Sequence, residues 1–253
     1  MSTQLRLYRA DLHMHTALSP CASEEMTPPA MVAWAMEWGL DMIAISDHNA
    51  AGNIRAVQQA AEEFGGQVAV IPGMEITSAE EVHVLGLFPD VEVAEELGAK
   101  LRRLLSVADA QYYSFFGEQQ LLDSQGREVG SETATLAWAT PLDLDETVRL
   151  IHGAGGLAIA AHVDRKAFGV FSQLGVFPVE AGFDGVEVSR HVPRGAEAMD
   201  RYTALGLPIT SASDSHFLEE IGSAYTDLML AEPTFAELAL AFAERNGRSV
   251  ARA

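Results

Sequence analysis

Short apolar runs alternate along the chain with longer stretches of helical spacing. Strands are expected at residues 7–12, 42–46, 68–72, 82–88, 157–161, 185–189 and 208–212. These runs show little apolar–polar alternation, as parallel strands covered on both faces do. Helices are expected between them, at residues 28–38, 53–64, 93–105, 144–153, 195–205 and 235–244. The first has Thr27 as its N-cap, prolines at the tolerated first positions and Gly39 as its stop. Met31, Trp34, Ala35 and Trp38 form one apolar stripe on it, which predicts a core face. About seven β/α units point to a barrel-like α/β fold rather than an open sheet.

In such a barrel the active-site groups sit at the C-terminal ends of the strands. Those ends carry six of the eight histidines, together with carboxylates, and so place candidate chemistry on one rim. The runs are Asp11-Leu12-His13-Met14-His15, Asp47-His48, Glu75, His83, His162 and Asp214-Ser215-His216. Imidazole and carboxylate are the groups that bind divalent transition metals at neutral pH. His13 and His15 are two apart in extended chain, so they point to one side and suit one ion or two neighbours. Asp214 and His216 repeat that spacing. Asp47 is placed to orient His48, and Glu75 to bridge two ions. The pattern predicts a multinuclear metal site.

Composition narrows the class. At 253 residues, 48% hydrophobic and 21% charged, the chain is expected to form one domain over 1–253. A segment at about 106–141 interrupts the pattern with an aromatic run from Tyr112 to Phe116 and a hairpin turning at Asp123-Ser124-Gln125-Gly126. It reads as a lid, a packing elaboration or a dimer contact, and the oligomeric state is left open. A single cysteine, Cys21, excludes an intramolecular disulfide framework. Residues 1–8 lack a basic-then-apolar leader, and no apolar run reaches the roughly 18–20 residues of a membrane span. A cytoplasmic protein without a membrane partner is expected. The formal charge of −20, from 16 basic and 36 acidic residues, disfavours extended duplex nucleic acid, whose binding rests on Lys and Arg. A small phosphorylated substrate or a short strand end is favoured instead.

These motifs resemble those of the PHP (polymerase and histidinol phosphatase) superfamily of metal-dependent phosphoesterases, from Asp11 to about Tyr225. His15-Thr16-Ala17-Leu18-Ser19-Pro20-Cys21 and Ala161-His162-Val163-Asp164-Arg165 are similar to one of its subgroups. The resemblance implies a distorted seven-stranded (β/α)7 TIM-like barrel holding two or three divalent ions of Zn, Mn or Fe. Its ligands would be His13, His15, His48, Glu75, His83, His162, Asp214 and His216. The family usually places Asp or His five or six residues after the second histidine, where this chain has Pro20 and Cys21. Proline offers no side-chain ligand, so a Cys21 thiolate is the substitute by position. Glu24, Glu25 or water are the alternatives.

The activity so implied is hydrolysis of a phosphate ester in a small nucleotide or sugar phosphate by metal-activated water. Arg165 would clamp the phosphate, and His191 would protonate the leaving oxygen. One rival reading is a 5′–3′ or 3′–5′ exonuclease on short single-stranded RNA or DNA. It calls for basic residues beside the metals, with Arg102, Arg103, Arg149, Arg165, Lys166, Arg190 and Arg194 as candidates. Another is an inactive metal-binding regulatory domain, which the nearly complete ligand set disfavours. His152, near a helix end, is expected to be incidental.

Overall fold

The computed structural model describes residues 4–193 and 197–251. In chain order its strands are β1 (Arg6–Met14), β2 (Met42–Ile45), β3 (Ala69–Thr77), β4 (His83–Leu87), β5 (Gln120–Leu122) and β6 (Glu128–Ser131). They continue as β7 (Leu157–Ala160), β8 (Gly185–Ser189), β9 (Ile209–Ala212), β10 (Thr226–Leu230) and β11 (Ser249–Val250). The helices are α1 (Pro28–Glu37), α2 (Ile54–Glu63), α3 (Val91–Arg102), α4 (Ala110–Phe116), α5 (Leu144–Gly153), α6 (Val170–Leu174), α7 (Glu197–Thr203) and α8 (Phe235–Phe242).

Nine strands share one sheet, in the order β11-β10-β1-β2-β3-β4-β7-β8-β9. After β9 the chain returns to β1, where Met14 bridges to Ser215 and the His15 N–H donates to the Ser215 carbonyl at 3.1 Å. The sheet is thereby nearly closed into a barrel. All seven expected strands form, but the sheet holds nine. β10 and β11 were not anticipated because β10 is covered on one face only, and its short alternating pattern gives no continuous apolar run. Nor is the sheet all parallel: β4 pairs antiparallel with both β3 and β7, and β1 with β10.

Two apolar layers hold the barrel. Tyr8, Ala10 and Leu12 of β1 join Met42, Ala44, Leu85, Ile159 and Leu228 in one cluster, which Leu238, Ala241 and Phe242 of α8 complete. Ile43, Ile45, Met74, Val84 and Val186 belong to the other, with Met31, Ile54, Leu97 and Ile151 from the surrounding helices. Fully burying each such side chain contributes about 1.5–3 kcal/mol. Met14 belongs to the helix-side cluster although Ala10 and Leu12 do not. The β1–β2 register shifts between Asp11 and Met14. That irregularity breaks the strict period of two.

Asp90 caps α3 through the Val93 N–H, and Asp143 with Glu146 forms a capping box on α5. Thr27 takes the extended N-cap conformation without a side-chain cap bond, and Gly39 follows α1 at φ 65°. The α1 stripe is only partly core: Met31 and Ala35 are buried, whereas Trp38 is 46% exposed. The 106–141 segment contains α4 and the β5–β6 hairpin. Asn49 donates to the Leu136 and Trp138 carbonyls and Asn53 to that of Gln120, tying the segment to the rim after β2. Among the described residues no helix is long and apolar enough to cross a membrane.

Candidate metal centre

The rim gathers side chains from six strands. His13 and His15 come from the end of β1 and the residue beyond it, and His48 from beyond β2. Glu75 lies within β3, and His83 opens β4 instead of ending it as expected, because β4 runs antiparallel to β3 and β7; His162 follows β7, while Asp214 and His216 follow β9. Three overlapping groups have donor atoms within 4.8 Å of one another: His15, His48 and His216; His13, His15, Glu75 and Asp214; His48, Glu75 and His83. Glu75 is the hub. Its Oε1 lies 2.7 Å from His83 Nδ1, 3.0 Å from His162 Nε2 and 3.4 Å from His13 Nε2. Its Oε2 lies 3.0 Å from His48 Nδ1 and 3.5 Å from His15 Nε2. Asp214 Oδ1 approaches His15 Nε2 at 3.1 Å and His13 Nε2 at 3.5 Å.

Supporting residues decide which nitrogens face the centre. Ser19 Oγ donates its one proton to Asp47 Oδ1 at 2.7 Å, so its 2.9 Å contact with His15 Nδ1 must be donated by the imidazole. His15 Nε2 therefore turns its lone pair to the cluster. Asp47 itself is held by the Thr16 N–H and hydroxyl at 2.7 and 2.8 Å. Likewise both oxygens of Glu187 lie 3.1 Å from His13 Nδ1, leaving Nε2 inward. Asp47, expected to orient the adjacent His48, instead acts through Ser19 on His15. Ser19 and Glu187 were given no such role from sequence. A lone carboxylate in an otherwise apolar strand, as Glu187 is in β8, is the signal that could have found it. His162 and Asp214 hold φ of 28° and 48°, a left-handed conformation that costs a Cβ-bearing residue on the order of 1–3 kcal/mol.

Burial and charge pull the groups apart. Burial lowers His13, but Glu187, Glu75 and Asp214 outweigh it and hold its pKa well above the usual value. Burial, with repulsion from His216 and His48, takes His15 well below it, and burial takes His83 down to about 4. Glu75 and Asp214 stay well below the ordinary carboxylate range, because the neighbouring histidines overcome the cost of burial. A field that favours protons on this cluster also favours a divalent cation, which must displace them to bind.

The donor set fits such cations. His13 Nε2 and His15 Nε2 are directed into one space 3.2 Å apart, and His83 Nδ1 and His162 Nε2 meet at 3.3 Å. The buried His48 Nδ1 has no partner in hydrogen-bonding geometry despite its closeness to Glu75. Converging imidazole nitrogens around a carboxylate suit divalent transition metals.

The other expected residues lie as follows. Cys21 is exposed at the mouth of the site; burial of its thiol opposes ionisation, but His48 and His216 bring it down to about 6. Glu24 and Glu25 are exposed beyond it. Arg165 Nη1 sits 2.6 Å from Asp214 Oδ2, and Arg190 reaches Glu220 and the Ser213 carbonyl. Lys166 is exposed beside Arg165. Arg102 pairs with Glu132 of the 106–141 segment, Arg103 follows α3, and Arg149 is exposed on α5. Arg194 lies outside the described residues. His191 is exposed past β8, and His152 pairs with Asp184 away from the cluster.

The model of the PHP domain matches residues 11–167, more than half of the chain. The chain belongs to the PHP family. A second model, described as PHP-associated, matches residues 196–248 of this PHP chain. A 5′-3′ exoribonuclease of Haemophilus influenzae is 26% identical over 190 residues, 60% of this chain and 68% of that protein. The lesion-specific endonuclease Q of Pyrococcus furiosus superposes with a TM-score of 0.71 at 19% identity. The match covers 97% of this chain and 58% of that one, so the endonuclease is much the longer protein. Endonuclease Q with a 27-mer duplex carrying an abasic lesion at the active site superposes with a TM-score of 0.70 at 17% identity, over 97% of this chain and 58% of that one.

The chain is thus a hydrolase of phosphate ester bonds. The expectation that extended duplex nucleic acid is disfavoured is also corrected. A protein of this fold takes a duplex into its active site. Net charge sums the whole surface, whereas the potential at a site is set by the local groups and any cations bound there.

Proposed function

We propose that the protein is a metal-dependent 5′-3′ exonuclease that hydrolyses the terminal phosphodiester of short single-stranded RNA. The observation that carries this reading is the buried Glu75-centred cluster, in a chain aligned over 190 residues with a 5′-3′ exoribonuclease. His13, His15, His48, Glu75, His83, His162, Asp214 and His216 would hold two or three divalent ions, with Cys21 closing the set at the mouth. Such ions polarise a phosphoryl oxygen and lower the pKa of water towards about 7. Arg165, already drawn to the site by Asp214, supplies a guanidinium that can grip the phosphate bidentately. Lys166, exposed next to Arg165 in the chain, could add a second cation, whereas Arg190 is already paired with Glu220. His191, exposed past β8, would protonate the leaving oxygen. A small phosphorylated substrate is the second reading, and it would draw on the same buried cluster.

The test is turnover by the Mn²⁺- or Zn²⁺-loaded chain of end-labelled single-stranded RNA and DNA, a duplex with an abasic site, and small phosphomonoesters. Release of mononucleotides from the 5′ end of RNA, abolished by chelation, is expected. Turnover of small monoesters with every oligonucleotide left intact would refute the reading. His15→Ala and Asp214→Ala should each lower the metal content found by elemental analysis. Cys21→Ser should do so too; unchanged content there would assign the position to Glu24, Glu25 or water.

A further inference from the structure

Phe168 has no place in the chemistry above, yet it touches the candidate centre. Its φ is 59°, in the left-handed region that a bulky side chain rarely enters. Its carbonyl accepts the His83 backbone N–H at 3.0 Å. Its ring lies face-on to the His83 imidazole, with centroids 4.3 Å apart and planes 16° from parallel. The residue belongs to none of the apolar core clusters and is 37% exposed. His83 covers one face of the ring, so the exposure falls on the rest of the residue.

The loop that carries it is tightly packed. A Cβ on the next residue, Gly169, would lie 2.5 Å from the Arg165 carbonyl oxygen and 3.1 Å from that of His162. The same loop contributes His162, Arg165 and the exposed Lys166. One short segment therefore presents a metal-ligating imidazole, a phosphate-seeking guanidinium and a partly exposed aromatic residue. Those are complements of the phosphate and the base of one nucleotide.

Resting on the nuclease reading, we propose that Phe168 determines specificity by stacking the nucleobase of the terminal nucleotide whose phosphate ester is hydrolysed. Every base has a π face, so the contact is tolerant of sequence and absent for sugar phosphates. Stacking a base on an aromatic ring contributes about five- to 150-fold in affinity.

The test compares Phe168→Gly, which suits the left-handed backbone and removes the ring, with Phe168→Tyr, which keeps it. Substrates for the Mn²⁺-loaded chain are short 5′-phosphorylated RNAs whose terminal nucleotide has either a base or an abasic ribose. Phe168→Gly should raise KM about tenfold for the base-bearing RNA. It should leave the abasic one and both kcat values near wild type, and Phe168→Tyr should match wild type. Equal losses on both substrates would overturn the proposal and reduce the ring to a support for His83. Circular dichroism and metal content check folding, and Phe168→Leu replaces the glycine variant if that fails. Binding of 2-aminopurine riboside 5′-monophosphate gives a readout independent of turnover, through quenching of its fluorescence. Quenching in wild type that is lost in Phe168→Gly supports stacking even if no oligonucleotide is cut, which would sink the nuclease reading alone. Quenching absent from wild type, or kept in the variant, overturns the stacking proposal.

Discussion

Removing the Ser19 hydroxyl tests how the site is oriented. Ser19 is buried, and its Oγ serves three partners: it donates to Asp47 at 2.7 Å and accepts from His15 Nδ1 at 2.9 Å and the His48 backbone N–H at 3.1 Å. In Ser19→Ala both donors lose their acceptor, and each buried unsatisfied group costs about 1–3 kcal/mol. His15 is then free to carry its proton on Nε2, which turns the lone pair away from the cluster. Loss of an outer partner of a ligating histidine typically weakens metal binding about 10–100-fold. Thr16→Val is the control. It also strips Asp47 of a donor, at 2.8 Å, and leaves the Leu18 N–H and the Asn53 amide without their acceptor, but it touches no imidazole. The assay is competition for Zn²⁺ against a chromophoric chelator, with thermal unfolding of the metal-free protein alongside. Both variants should lose Tm, by about 2–4 °C for each kcal/mol in a domain of this size. Only Ser19→Ala should lose affinity about 10–100-fold. Wild-type affinity in Ser19→Ala, or an equal loss in Thr16→Val, would refute the tautomer argument.

Three further outcomes follow from packing and charge. Gly169→Ala puts a Cβ against the Arg165 carbonyl, which cannot swing aside, so about 1–3 kcal/mol of stability should be lost; a Tm within about 2 °C of wild type would contradict this. Gly153→Ala, with nothing within 4 Å of its added Cβ, should be neutral or slightly stabilising in the same scan. Asp11 is fully buried, and burial outweighs its bonds from Ser213 and Gly222, raising its pKa from 3.8 to about 6. Folding therefore favours the protonated carboxyl. Its contribution is fully present below about pH 3.8 and is lost as pH rises through about 6, a change of roughly 3 kcal/mol. Urea unfolding of metal-free wild type minus Asp11→Asn, measured from pH 4 to 7.5, isolates that slope; parallel profiles would refute it.

Much of the molecule could be read directly. The seven strands legible in the sequence are covered on both faces, so each is an apolar run that ends abruptly in polar groups. β10 escaped because one of its faces is open. The family resemblance rested on those strand-end motifs, and the family match bears it out. Glu187 lies within β8, as the strand expected at 185–189 places it, but only the folded chain points it at His13. Phe168 gave no signal at all, since its backbone conformation and its stack on His83 arise only when the loop closes.

The pattern along the chain set the donor types, their order and, for all but Glu75 and His83, their places at the ends of strands. These follow from local chemistry: the period of two sets which side chains share a face, and burial selects apolar residues between them. The tertiary structure decided what those donors meet. His15 faces Asp214 across 199 residues of chain, and His13 faces Glu187 across 174. It also decided which imidazole nitrogen turns inward, since Ser19 and Glu187 act only when barrel closure brings them within hydrogen-bonding distance. Spacing along a strand is a local property, whereas convergence on one cation is a property of the closed barrel.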